Sequence, residues 1–162
     1  MIILNNDLSK IIEDVVRDVL KTEKTDELNL KVAKKLAAIV EDKAAEIGVK
    51  AVVAIADAGA RPILVECMDD SYIASYDIAL NKAYTSVSLK MSTKELSMLA
   101  QPGQPLYGIQ FTNDGQVVIF GGGQPLKING KIVGGLGVSG GSEEQDTFLA
   151  QYGKEAFDKF IN

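Results

Sequence analysis

At 162 residues, 46% hydrophobic and 24% charged, the chain suits one globular domain with an appendage, its core large enough to need no disulfide or metal staple. A net charge of −5 with no basic cluster argues against nucleic acid or an anionic membrane as partner. Histidine is absent and Cys67 stands alone, which excludes a Ser-His-Asp triad, a Cys-His pair, an imidazole ligand to zinc or haem, an internal disulfide and an internal iron–sulfur cluster.

The single cysteine suits a reducing compartment. No apolar run reaches the roughly 18 residues of a membrane span. Met1-Ile-Ile-Leu gives way at once to Asn5, Asn6 and Asp7, unlike a secretory signal. The expectation is a cytoplasmic protein with no metal site.

Residues 7–22 carry Leu8, Ile11, Ile12, Val15, Val16, Val19 and Leu20 on one helical face, with Lys10, Glu13, Asp14, Arg17, Asp18 and Lys21 opposite. Asn6 or Asp7 would cap this helix. The polar stretch from Thr22 to Glu27 reads as a short linker, so residues 1–24 form one unit and residues 25–162 a second. A helix starting near Thr25 or Asp26 buries Val32, Leu36, Val40, Ala44 and Ile47 and ends at Gly48. Val49 to Ala56 is apolar on successive residues, as in a strand covered on both faces. Asp57-Ala58-Gly59 turns the chain, and Pro62 to Met68 returns antiparallel.

A long helix then runs to about Leu89, its inner face read as Ile73, Tyr76, Ala79 or Leu80, Ala83 and Val87. Ser92 with Glu95 is a capping box opening a short helix through Ala100, and the Pro-Gly-Pro run from Gln101 to Pro105 stops it. Leu106 to Phe111 is irregular, Asn113-Asp114-Gly115 a turn, and Val117 to Phe120 a third strand.

Gly121 to Asp146 is the most informative stretch. Asn129-Gly130 between two apolar runs marks a hairpin with a type I′ turn, supplying the fourth and fifth strands. Ser142 with Gln145 is a second capping box, and its helix is expected to break at Gly153. Amides left bare among the glycines, next to a helix start, could hold a carboxylate or phosphate. The plainer alternative is that the glycines only permit tight turns and close backbone approach. The architecture expected is α/β (α+β): five antiparallel strands between helices on both faces, in three α/β/α layers.

Asp57-Ala58-Gly59, Met68-Asp69, Ala79-Leu-Asn-Lys-Ala-Tyr-Thr85, Gly122-Gly123-Gln-Pro-Leu126 and Gly130-Lys-Ile-Val-Gly-Gly-Leu-Gly-Val-Ser-Gly-Gly141, ending in Glu144-Gln145-Asp146, follow one another in an order and spacing that resembles the GlcG/HbpS-like family, which includes the C-terminal domain of PduO proteins. The resemblance covers about residues 28 to 162 and implies a profilin-like fold and a homo-oligomer. It also implies binding of a small ligand related to haem or a corrinoid. Two departures stand out: no histidine is present for an axial ligand, and Asp70 stands where glycine usually follows Met-Asp. The adenosyltransferase domain of full-length PduO proteins has no counterpart, so that activity is not carried over. Residues 7–22 resemble the amphipathic targeting peptides of bacterial microcompartment cargo, which implies a shell protein as partner and a microcompartment as location. Packing of this helix on its own domain is the alternative.

The ligand set expected on this basis is Lys82, Thr85, Gly122, Gly123, Gly140, Gly141, Ser142 and Glu143. Axial candidates are Met68, Cys67, Tyr84 and Tyr107, with Cys67 read as an inert buried thiol and haem expected to bind weakly or through its propionates alone. A second hypothesis is a small-molecule enzyme in which Lys82 serves as base or Schiff-base amine beside Asp57 or Asp69. Asp57 can equally be a turn residue bonding its own backbone. A third is a non-catalytic scaffold or cargo protein recruited through its N-terminal helix.

Overall fold

A computed structural model describes residues 27–161. The helix expected over residues 7–22, and with it the unit 1–24, lies outside the described residues. In chain order the elements are α1 (Leu30–Glu46), β1 (Val52–Asp57), β2 (Pro62–Cys67), α2 (Ile73–Ser88), α3 (Thr93–Leu99), two single 3₁₀ turns (Ile109–Phe111 and Asn113–Gly115), β3 (Gly123–Ile128), β4 (Lys131–Ser139) and α4 (Glu143–Ile161).

Asn29 caps α1, its side chain accepting from the Val32 N–H at 3.0 Å, so the helix starts later than the acidic residues before it suggested. The expected stripe of Val32, Leu36, Val40 and Ala44 is buried, and Gly48 ends the helix at φ +73. β1 lies between β2 and β4 in an antiparallel sheet of order β2-β1-β4-β3. Val52 pairs with Cys67 on one side and with Ser139 on the other, which sets the register of the sheet centre.

Successive burial along β1 reflects two distinct cores. Val53 and Ile55 join Leu136 and Val138 beneath α1 and α4, where Leu36, Val40, Leu149 and Phe157 pack. Val52, Ala54 and Ala56 point the other way, to Ala79 and Ala83 of α2. The sheet is therefore covered on both faces, as the continuous apolar run implied.

The sheet has four strands among the described residues rather than five. Val117–Phe120 does not join it, because the Val118 N–H donates to the Thr85 hydroxyl at 3.0 Å, so α2 takes the backbone bond that a strand neighbour would have received. The Asn129-Gly130 hairpin forms as expected, with φ of +50 and +76. Three further expectations need correction. Ile73 and Tyr76 are 96% and 47% exposed, so they are not on the inner face of α2. Cys67, at the end of an edge strand, is exposed. Gly153 does not break α4; a side chain there would meet Leu136 and Val40 at 2.6 Å, so the glycine lets the helix lie against the core.

Candidate functional site

Lys82 is fully buried on the sheet-facing side of α2. Its Nζ donates to the Val138 carbonyl and to Asp146 Oδ2, both at 2.8 Å, and lies 4.9 Å from the centre of the Phe120 ring. One ammonium thus ties α2 to the end of β4, the first turn of α4 and the segment before β3. Burial pushes its pKa below the ordinary lysine value, while the Asp146 carboxylate pulls the other way. Gly122 makes room for the ammonium: a Cβ there would sit 2.6 Å from Nζ.

Four of the amides expected to be bare are capped from within the chain. The Gly141 N–H donates to Asp146 Oδ1 at 2.9 Å, and the Ser142 N–H to Gln145 Oε1 at 2.9 Å. Gln145 N–H returns a bond to the Ser142 hydroxyl at 3.2 Å, completing the expected capping box. The Gly121 N–H donates to Glu143 Oε1 at 3.2 Å, and the Gly123 N–H to the Thr93 hydroxyl at 2.8 Å. Glu143 also accepts from Lys94 at 2.9 Å, and that bond leads the causes holding its carboxyl below the usual range. The Gly121, Gly123, Gly141 and Ser142 amides are therefore not free to hold an oxyanion.

What stays open is a groove of two adjoining hollows. One, of about 250 Å³, is walled by Tyr72, Ser75, Ile78 and Phe120, with Gly140, Gly141, Glu143 and Asp146 along its polar side. The other, of about 480 Å³, shares Tyr72 and Gly140–Gly141 and adds Lys50, Asp70, Ser142 and Gln145. Tyr72 is 73% exposed and Phe120 40%, so the groove presents aromatic faces to solvent. Exposed aromatic faces next to convergent polar groups are the usual make-up of a small-molecule site.

The expected site residues divide into two groups. Gly140, Gly141, Ser142 and Glu143 line the groove. Lys82, Thr85, Gly122 and Gly123 are buried beneath it. Thr85 is a clasp, donating to the Asn81 carbonyl at 2.7 Å and accepting from Val118. Asp57 is separated from Lys82: it pairs with Gly134, whereas Lys82 reaches Val138 further along β4. Its Oδ1 accepts from the Arg61 and Gly59 N–H groups at 3.0 and 2.8 Å, the turn role that the sequence also allowed. Those backbone bonds, led by Arg61, hold its carboxyl below the usual range. Asp69 lies by Cys67 and Met68 in a third hollow, so Asp146 is the partner of Lys82.

Sequence reasoning passed over Tyr72, Phe120 and Lys50, which carry no motif. Asp146 was in view as part of a motif, but nothing in its spacing tied it to a lysine 64 positions earlier.

A family model described as haem degrading protein HbpS-like matches residues 28–155. The chain belongs to the HbpS-like family. Over 139 residues it is 45% identical to an uncharacterized 15.0 kDa protein of the dhaT-dhaS intergenic region of Citrobacter freundii, covering 86% of this chain and 98% of that one. It is 44% identical over 110 residues to the corrinoid adenosyltransferase PduO of Salmonella typhimurium; the match takes in 68% of this chain but 33% of that protein. Among solved structures, a PduOC:heme complex is 39% identical with a TM-score of 0.77, covering 80% of this chain and 94% of that one. The mixed α+β architecture is the one this family's solved relatives share.

Proposed function

We propose that this HbpS-like chain is a small-ligand-binding protein whose groove takes a tetrapyrrole, haem first and a corrinoid second. The observation that carries the reading is the pair of exposed aromatic side chains, Tyr72 and Phe120, flanking Ile78 beside the polar Gly140–Gly141 wall. The PduOC:heme relative, similar over most of this chain, supports it.

Tyr72, Ile78 and Phe120 would meet the flat apolar face of the macrocycle, and Lys50, Ser142 and Gln145 would meet its acidic side chains at the polar end of the groove. Axial ligation is another matter. Histidine is absent, Met68 Sδ accepts from the Ala51 N–H at 3.3 Å, and the Tyr84 hydroxyl accepts from Asn113 at 3.1 Å. Cys67 and Tyr107 are exposed but line neither hollow. Haem, when bound, supplies a redox-active iron. The chain itself supplies stacking surface from Tyr72 and Phe120, and a wall whose position Lys82 and Asp146 fix. A Schiff-base role for Lys82 has less support, since its Nζ is enclosed and doubly bonded.

Absorbance titration with haem and with cobalamin tests the reading. Wild-type protein is expected to shift the haem spectrum saturably, and Tyr72→Ala to weaken binding about three- to tenfold without loss of fold, as expected when an exposed stacking face is removed. A featureless titration with both ligands contradicts it and favours a scaffold role.

We also propose that the chain assembles as a homo-oligomer and that residues 7–22 address it to a shell protein, the amphipathic stripe being the support. Deleting residues 1–22 is expected to leave a soluble oligomer that no longer co-purifies with shell protein. Aggregation of the shortened chain would make that segment structural instead.

A further inference from the structure

Lys50 and Asp70 stand at the polar end of the groove, where they also line the third hollow together with Glu41, Asp42 and Asp69. Lys50 Nζ lies 2.7 Å from Asp70 Oδ2, with the two side chains 58% and 80% exposed. An ion pair so open to solvent contributes little, so another carboxylate can take the place of Asp70. The backbone of Lys50 is fixed where its side chain is not. Gly140 packs against it so closely that a Cβ at 140 would lie 2.4 Å from the Lys50 carbonyl oxygen. The ammonium is therefore carried by a tightly packed point of the backbone on the groove wall.

Asp70 stands in the left-handed region at φ +62, a conformation in which aspartate is tolerated but glycine is more comfortable. A side chain kept there at some conformational cost, and spent on a weak surface pair, is explained if the pair has a use beyond stability. Ser142 and Gln145, which cap each other's backbone, line the same hollow, so a ligand carboxylate arriving at this end meets Lys50 as its cation.

Resting on the tetrapyrrole reading, we propose that Lys50 anchors a carboxylate of the ligand and that Asp70 is its built-in competitor, so that the groove selects acidic over esterified tetrapyrroles. The two residues then form a displaceable latch. In the free protein Asp70 holds the ammonium at the mouth, and the ligand's carboxylate exchanges for it on binding.

The test uses protoporphyrin IX and its dimethyl ester, iron-free so that axial ligation plays no part, with binding to the full chain read by porphyrin fluorescence anisotropy. Lys50→Gln is expected to weaken the diacid about fivefold and leave the diester unchanged, and Asp70→Asn to tighten the diacid about two- to fivefold, the range of an exposed ion pair. Asparagine tolerates the left-handed backbone, so Asp70→Asn keeps the loop in place. Equal losses for both porphyrins in Lys50→Gln, or none for either, overturn the latch while leaving the tetrapyrrole reading intact. Wild-type protein that binds neither porphyrin overturns both.

Discussion

Lys82 is the side chain on which the local structure turns, and its energetics are those of a buried ion pair. Removing one partner of such a pair strands a charge in the interior and costs about 3–5 kcal/mol, whereas replacing both with apolar groups of similar volume is close to neutral. Lys82→Met and Asp146→Leu are each expected to lower the denaturation midpoint strongly, and the double variant to recover most of the loss, as a urea double-mutant cycle will show. The pH dependence has a definite sign. Lys82 in the folded chain has a pKa below its ordinary value, so between that pKa and about 10.4 the unfolded chain holds the extra proton and stability rises with pH. In the double variant this alkaline rise disappears. If the single variants lose no stability, the pair is not the tie that its geometry indicates.

The element that sequence periodicity read least well is α2, and the reason is physical. An apolar stripe normally marks the buried face of a helix, and Ile73 and Tyr76 supply one that is in fact exposed. Ala79, Ala83 and Val87 are buried as the stripe implied, but they share that face with Ser75, Lys82 and Ser86, and its side chains are mostly small because the sheet beneath carries glycines in place of side chains. A Cβ on Gly137 would lie 1.9 Å from the Ala79 carbonyl oxygen. Close approach of backbone to backbone replaces side-chain interdigitation here, and hydropathy has no signal for it. Gly137→Ala is expected to cost about 1–3 kcal/mol or more through overpacking, read as a fall in thermal midpoint; an unchanged midpoint would mean that α2 can retreat freely. By contrast, α1, both capping boxes and the Asn129-Gly130 hairpin were legible, because each depends on local chemistry or on an ordinary apolar stripe. The strand expected at Val117–Phe120 failed for want of a partner, a fact decided by Thr85 on a distant element.

At the scale of the whole molecule, the glycine-rich stretch first read as a ligand cradle is mainly a framework. Four of its amides donate to Asp146, Gln145, Glu143 and Thr93, and its glycines admit Lys82 and α2. The proposed ligand surface is the groove beside that framework, lined by Tyr72, Phe120 and Gly140–Gly141, with Lys50 and Asp70 at one end. Half of the expected site residues line the groove, at the Gly140–Glu143 step; of the other half, Lys82 ties Val138 to Asp146 beside that step, Gly122 makes room for its ammonium, and Thr85 and Gly123 are buried against Val118 and Thr93. The central claim is that this groove is where the ligand binds. Amide NMR mapping of the nitrogen-15-labelled full chain during a protoporphyrin IX titration tests it most directly. The account predicts saturable shifts centred on Tyr72, Ser75, Gly140, Gly141 and Ser142; shifts centred instead on the 3₁₀ turns around Tyr107 and Phe111, or none at all, would contradict it.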